Sequence, residues 1–392
     1  MVKNMKQGYK QTDFGVIPED WEIKQIGDLT TAIAGGTPST SMPEYWGGNI
    51  PWMSSGELNN RRIHSVVGRI TQKGLERSST HIIPEMCVLI GLAGQGKTRG
   101  TVAINYISLC TNQSIAAILP NEQFDTEFLY QNLYSRYDEL RELSSGEGGR
   151  GGLNLKLIKS LYVSFPPLPE QRRIAEALSD VDELIYSLEK LIKKKKAIKQ
   201  GVMQELLTGK RRLPGFTEGW DRINLGNLCN ITTGKKDANE GNENGQYPFF
   251  TCSKEVLASN EFSFEGEAIL VAGNGDVGNT HYYNGRFEAY QRTYVLMDFT
   301  VNIHYVLYFI NQFLISNLTN NSFGSSIPYI VKKQLSGFQI DLPKYSLEIN
   351  AIVDCIHSME NEILAMTSQL KKYKTIKSGM MSELLTGRIR LV

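Results

Sequence analysis

The sequence predicts an α+β protein of two β-rich globular domains, each followed by one long helix, with the helices pairing in a pseudo-twofold cyclic repeat. Three observations carry that prediction. Residues 200–209 read QGVMQELLTG and residues 378–387 read SGMMSELLTG, so Gly201 maps to Gly379, Leu206-Leu207 to Leu384-Leu385 and Gly209 to Gly387, always 178 residues apart. A long apolar seam precedes each copy at the same offset. Related segments open the two halves, WEIKQIGDL from Trp21 and WDRINLGNL from Trp220, 199 residues apart.

Length and composition set the bounds. A chain of 392 residues with 41% hydrophobic content holds two or more real cores. The formal net charge is +1, so any polyanion-binding surface must come from local clustering. Cysteines 87, 110, 229, 252 and 355 are odd in number and scattered, without C-x-x-C, and the five histidines form no ligand-spaced group. Reduced structural thiols are expected, with no disulfide framework and no metal site. The start, MVKNMKQGYKQTDFG, lacks a signal-peptide core, and no apolar run approaches the ~20 residues of a membrane helix. A cytoplasmic protein is expected.

The first globule covers residues 1–167 and the second 211–343. Both are rich in short apolar runs and glycines, with one helix each, over Glu127–Leu143 and Ile303–Leu318. Both end alike, Leu161, Val163, Phe165 and Pro166 against Phe338, Ile340, Leu342 and Pro343: an edge strand running into a proline-marked helix start. The first long helix occupies 168–210. Its seam, Ile174, Leu178, Val181, Ile185, Leu188 and Ile192, alternates spacings of four and three, the heptad signature of a coiled coil. The second, 344–392, repeats it with Ile352, Ile356, Met359, Ile363, Met366 and Leu370. Past the sixth position Lys195 and Lys199 fall where apolar residues are due. The pattern then reads as resuming one residue out of step at Ile198, Val202 and Leu206, and at Ile376, Met380 and Leu384. Each helix spans about 39 residues, roughly 58 Å at 1.5 Å per residue. Gly209 and Gly387 are the expected stops.

One motif points elsewhere. Gly91, Gly96, Lys97 and Thr98 satisfy the phosphate-loop pattern G-x-x-x-x-G-K-[ST] after the apolar run Cys87–Ile90. A working phosphate loop needs a helix next, whose N-terminal amides cradle the phosphates. The continuation RGTVAINYI reads instead as a strand. Its counterpart in the second half, EAILVAGNGDVGNTHYY, keeps the glycines and loses the Gly-Lys-Thr. The shared feature is a tight glycine turn with polar tips. An ATPase using Gly91–Thr98 stays a rival reading, and ATP turnover abolished by Lys97→Ala would identify it. No (N/D)-P-P-(Y/F), G-x-S-x-G or complete nuclease motif is present, so the chain reads as a binding scaffold. A coiled-coil adaptor without a DNA role is the other rival.

The chain resembles the specificity (S) subunit of type I restriction–modification systems over almost its whole length. The resemblance rests on Ile17-Pro18-Glu19-Asp20-Trp21, Gly35-Gly36-Thr37-Pro38-Ser39, Pro166-Pro167-Leu168-Pro169-Glu170-Gln171 with Arg172-Arg173-Ile174-Ala175, and the two Glu-Leu-Leu-Thr-Gly helix ends. It implies two target recognition domains, each reading one part of a bipartite site in double-stranded DNA. It also implies an antiparallel coiled coil that sets half-site spacing and docks two modification (M) subunits. The chain itself would be non-catalytic and without cofactor. M subunits would bring S-adenosylmethionine, and restriction (R) subunits ATP and Mg. One departure stands out: the second helix has Glu348 where Glu170 is expected, but Ile349 in place of Gln171. The helix should survive it.

On this reading Lys and Arg neutralise phosphates while polar loop side chains read base edges. Candidates in the first unit are Thr37, Ser39, Arg61, Arg62, Gln95, Lys97, Arg99, Arg150 and Asn154. In the second they are Lys235, Lys236, Asn274, Asp276, Arg292 and Ser325, with an internal ion pair as the alternative for Arg292. The lysines of 193–196 and of 371–374 are a solvated or M-facing surface, or touch spacer DNA. The helix length bounds the half-site separation at about 17 base pairs. Because the two units differ in length and loops, an asymmetric target is expected.

Overall fold

The computed structural model describes residues 7–94, 98–144, 152–242, 244–320 and 329–392. The chain forms two compact units that do not follow chain order: Met1–Leu188 with Gln369–Val392, and Glu189–Ser368. Each unit thus takes the start of one long helix and the end of the other, and the division falls inside both helices rather than where they begin. Among the described residues no helix is long and apolar enough to cross a membrane. All five cysteines are free thiols, four of them buried.

The first unit is built on a five-stranded sheet in the order Ala32–Ala34, Ile115–Ile118, Val88–Gly91, Val102–Asn105, Arg62–Ile63. Its central strands are buried on both faces, which explains their unbroken apolar runs. Three short strands, Cys110–Thr111, Trp46–Met53 and Gly68–Ile70, form a second sheet. The expected helix over 127–143 is two, Thr126–Ser135 and Tyr137–Leu143. The break falls at Arg136, whose amide bonds the Leu133 carbonyl while its guanidinium reaches the Tyr162 carbonyl at 2.7 Å.

The second unit holds a six-stranded sheet in the order Asn230–Thr233, Thr293–Met297, Phe264–Ala272, Thr280–Ala289, Tyr247–Phe250, Leu257–Ser259, with the helix Ile303–Asn320 and the short helix Lys332–Ser336. The opening and closing repeats of each unit pair with each other. Glu22–Gln25 runs antiparallel to Tyr162–Phe165, and Trp220–Asn224 to Gln339–Pro343, in the same register.

The phosphate-loop reading fails here. Val88–Gly91 turns back into Val102–Asn105, an antiparallel partner in the same sheet, so no helix follows the Lys-Thr. The equivalent segment, Phe264–Ala272 into Thr280–Ala289, is likewise a hairpin.

The long helices run Leu168–Leu207 and Ser346–Leu384, close to the length expected. In the first unit Ile174 and Leu178 share a core with Met381, Leu384 and Leu385; in the second, Ile352 and Ile356 share one with Met203, Leu206 and Leu207. In both units the paired segments therefore run antiparallel. Ile192 is buried, whereas Val181, Ile185, Leu188, Met359, Ile363, Met366 and Leu370 are half-buried, as expected of a two-helix seam flanked by solvent. Gly209 and Gly387 end the helices at φ +67° and +70°, which only glycine adopts without strain.

One expectation is corrected. The seam does not step over at Ile198 and Ile376, which are 43% and 40% exposed. Lysines hold it instead. Lys195 and Lys199 face the other helix and pair with Glu362 at 2.7 Å and Glu360 at 2.9 Å. Lys377, the repeat of Lys199, is 6% exposed and pairs with Asp182 at 2.5 Å. The four-three rhythm continues through a charged layer to Val202 and Leu206.

Candidate nucleic-acid interface

In each unit one end of the main sheet gathers several loops, and the same backbone contacts hold them. In the first unit the Gly35 amide donates to the Ile115 carbonyl at 3.3 Å, Asn112 to Met53 at 3.0 Å, Leu92 to Ser114 at 2.8 Å and Leu153 to Leu92 at 3.1 Å. In the second, the Gly234 amide donates to Thr293 at 3.3 Å, Tyr290 to Phe250 at 3.0 Å, Gly273 to Arg292 at 3.0 Å and Ile330 to Gly273 at 2.7 Å. A glycine makes each frame possible. A Cβ on Gly35 would sit 2.0 Å from the Thr111 carbonyl oxygen, and one on Gly234 1.8 Å from that of Ala289. The family-like Gly35-Gly36-Thr37 turn and Gly234-Lys235-Lys236 are thus the same turn.

On the first frame Thr37 and Ser39 are exposed, and the Thr37 hydroxyl donates to Gln113. Arg99 is half-buried between the two hairpin strands. Asn154 lies on the loop anchored by Leu153, where its side chain caps the helix Leu155–Lys159 by accepting from the Leu157 amide at 3.0 Å. Arg61 and Arg62 are not brought to this frame. Arg62 is bound inside the unit by Glu127 at 2.5 and 3.0 Å and by Asp182 at 3.1 Å. Burial works against its charge, but the Glu127 hydrogen bonds and field outweigh that and raise its pKa. Arg61 lies over the Tyr134 ring at 4.7 Å. Gln95, Lys97 and Arg150 lie outside the described residues.

Among the described residues the second frame is richer in cations. Lys235 and Arg292 are exposed, and Arg292 makes no ion pair among the described residues. Lys236 is tied to Glu261 at 2.8 Å. Asn274 and Asp276 lie on the hairpin turn, where the Asp276 amide bonds the Cys252 carbonyl at 3.3 Å. Ser325 lies outside the described residues. That cysteine contact brings in residues the sequence reading missed. Ser253 and Lys254 are exposed on the adjoining loop, and the Ser253 carbonyl lies 3.2 Å from the His281 ring. Gln113 was missed on the first frame. The signal was faint because the offset between the units drifts along the chain, so equivalent turns do not align by counting.

The motif that opens the first helix has a structural role. The Glu170 carboxylate is buried, accepts from Arg390 at 2.7 and 2.8 Å, and takes the Trp21 indole at 3.2 Å. Gln171 accepts the Asp125 amide and donates to the Pro166 carbonyl, both at 2.8 Å. In the second unit Arg212 grips Glu348 at 2.5 and 2.7 Å, and Ile349 joins the apolar core in place of Gln171. The helix forms regardless.

A model of the type I restriction modification DNA specificity domain matches residues 18–200 and 217–374. The MjaIX type I restriction enzyme specificity subunit of Methanocaldococcus jannaschii is 24% identical over 98% of this chain and 96% of its own. The EcoDI specificity subunit of Escherichia coli is 35% identical over 43% of this chain and 37% of its own. The solved S subunit of a type I system from M. genitalium shares the fold at a TM-score of 0.65 and 17% identity, covering 96% of this chain and 97% of the other. With both halves matched, this chain belongs to the type I restriction–modification DNA specificity family.

Proposed function

We propose that the chain is the DNA sequence-recognition subunit of a type I restriction–modification enzyme, each frame reading one part of a bipartite, asymmetric site. One observation carries the reading: the same glycine-pinned frame is built twice and furnished with different side chains. Exposed Lys235, Lys254 and Arg292 suit phosphate contact or the O6/N7 edge of guanine, and Asp276 suits the cytosine amino group. Thr37, Ser39 and Gln113 offer uncharged donors and acceptors, with Gln113 suited to adenine. Gln95, Lys97, Arg150 and Ser325 remain proposed contacts.

The chain supplies recognition and spacing rather than a chemical step. Two M subunits binding S-adenosylmethionine, and R subunits binding ATP and Mg, would complete the enzyme. The paired helices would fix the distance between half-sites. Co-expression with the M subunit followed by adenine-methylation mapping tests all of this. A two-part target with unlike halves at one fixed spacing is expected. A palindromic target sinks the asymmetry, and no sequence-specific methylation sinks the whole reading in favour of an adaptor.

A further inference from the structure

The backbone contacts of the two frames fix which of their residues correspond. The Gly35 amide meets the Ile115 carbonyl, and the Gly234 amide that of Thr293. Leu92 meets Ser114 as Gly273 meets Arg292, and Asn112 meets Met53 as Tyr290 meets Phe250. Strand pairing agrees, because Thr111 lies beside Met53 in parallel register and Ala289 beside Phe250. Asn112-Gln113-Ser114 is therefore the same turn as Tyr290-Gln291-Arg292. Most side chains on it and next to it differ: Asn112 against Tyr290, Ser114 against Arg292, Thr37 against Lys236. The central one does not. Gln113 and Gln291 occupy one position, and both are exposed.

Packing inside the units does not account for the match. Gln113 Oε1 accepts from the Thr37 hydroxyl, but the residue equivalent to Thr37 is Lys236, which pairs with Glu261 at 2.8 Å instead. Among the described residues the Gln291 side chain makes no hydrogen bond, nor does the Gln113 amide nitrogen. Neither residue lies in a strand or caps a helix. Their backbone, by contrast, is fixed in one way. The Ile115 amide closes the first turn on the Asn112 carbonyl at 3.2 Å, and the Thr293 amide closes the second on Tyr290 at 2.8 Å. Each glutamine thus sits at the second position of the same four-residue turn, a free amide on a held backbone.

We propose that Gln113 and Gln291 are matched base readers, each bonded to an adenine in its own half-site. A primary amide carries an acceptor and a donor in one plane. The major-groove edge of adenine offers the complement, an N6 donor beside the N7 acceptor. In the first unit the Thr37 hydroxyl holds the amide oxygen by one lone pair. The other lone pair is left to accept from N6, and the nitrogen to donate to N7. The two units then share one letter through the glutamines, while neighbours such as Ser114 and Arg292 read what differs. This assignment rests on the chain being the DNA-recognition subunit, and adds one named base to each half of its target.

The test uses the full chain in complex with its cognate M subunit, as wild type and as Gln113→Ala, Gln291→Ala, Gln113→Glu and Gln291→Glu. Methylation mapping of the wild type locates the two half-sites. Competition among duplexes carrying each base at each position then measures discrimination, even for a variant that no longer supports methylation. Each alanine variant should lose roughly tenfold discrimination at a single A·T pair, and the two variants should act in different half-sites. Glutamate only accepts, so each glutamate variant should move preference at that pair from adenine toward cytosine. Thermal melting should not change, because neither side chain enters a core. Relaxation at a G·C pair, both variants acting on one half-site, or unchanged discrimination would overturn the proposal. So would an equal loss on every duplex, which marks a backbone contact, or, with lowered melting, a structural role. A wild-type complex without sequence preference sinks the wider reading as well. A wild type with a two-part target and unaltered variants sinks the glutamines alone.

Discussion

The two units answer one structural problem with different degrees of burial. In the first, Asp182 sits among Lys377, Gln131 and Arg62, and Arg62 also holds Glu127. In the second, the equivalent Glu360 meets Lys199 and Tyr308. The side chains of Lys377 and Asp182 are 8% and 17% exposed; those of Lys199 and Glu360 are 23% and 37%. Burial disfavours the Lys377 charge and pulls its pKa down, with Asp182 opposing that shift. Burial also disfavours the Asp182 charge, yet Lys377, Gln131 and Arg62 together hold its pKa below the usual carboxylate range. A repeated salt bridge is thus not a repeated energy: the same pair is a buried network in one unit and a half-open contact in the other.

The sharpest way to break that contrast is to remove the carboxylate at both sites. Asp182→Leu strands Lys377 and should cost about 3–5 kcal/mol. Glu360→Leu leaves Lys199 near water and should cost about 1 kcal/mol or less. Hydrogen exchange at the helix end 381–385 and at the helix start 349–356 reads the two separately. Equal losses would mean that the difference in burial has no energetic weight.

The helix stops offer a second contrast. A Cβ on Gly387 would lie 2.5 Å from Pro18 and 3.2 Å from Trp21, whereas one on Gly209 would rest at 3.4 Å against Trp220. Both substitutions force alanine into a left-handed conformation at about 1–2 kcal/mol. Gly387→Ala should lose a further 1 kcal/mol or so from overpacking. Denaturant midpoints of the two variants decide it, and a larger loss for Gly209→Ala would reverse the expected order.

What was legible in the sequence was whatever repeats at a constant spacing. The helices and their glycine stops follow from residues such as Leu206 and Leu384 recurring 178 apart, and the matching strand pairs from short motifs that repeat at their own offsets, such as Trp21 and Trp220. Lys195 and Lys199 were read as breaks because a one-dimensional apolar pattern cannot show a carboxylate arriving from the facing helix. Arg62 looked like a phosphate contact for the same reason: Glu127 and Asp182 are distant in sequence and adjacent in space. The proposed recognition rim was only partly legible. Its turns sit at drifting offsets, so Lys254 and Gln113 carried no register with which to find their partners.

The rims give a third contrast. Lys235 is exposed, while Thr37 occupies the corresponding turn without charge. Lys235→Ala should weaken binding of the M-subunit complex across all sequences and lower the log–log salt slope by about one. Thr37→Ala should leave the slope alone and change preference within one half-site only. A salt slope that moves with Thr37 and not with Lys235 would dismiss the division of labour between the rims.

The smallest difference concerns pH. In the second unit His304 packs against His357 with ring centres 4.7 Å apart and against Tyr282 at 4.6 Å, near Glu267 and Glu360, and Tyr308 packs against His357 in turn. Burial, reinforced by the neighbouring His357, lowers its pKa below the ordinary 6.5. The folded unit therefore prefers neutral His304. Its contribution is present above pH 6.5 and is lost as pH falls below that value toward the lowered one. Glu267 and Glu360 oppose the shift and keep the loss shallow. At the matching place in the first unit Glu127 and Asp182 face Arg62, and the histidine beside that network, His64, is exposed where it stacks on Tyr106 at 4.5 Å. Between pH 7.5 and about 5.5, hydrogen exchange corrected for intrinsic rate should thus rise in the helix Ile303–Asn320 and stay level in Thr126–Ser135. His304→Gln should abolish the rise. A rise that survives the substitution would place the pH sensitivity elsewhere in the second unit.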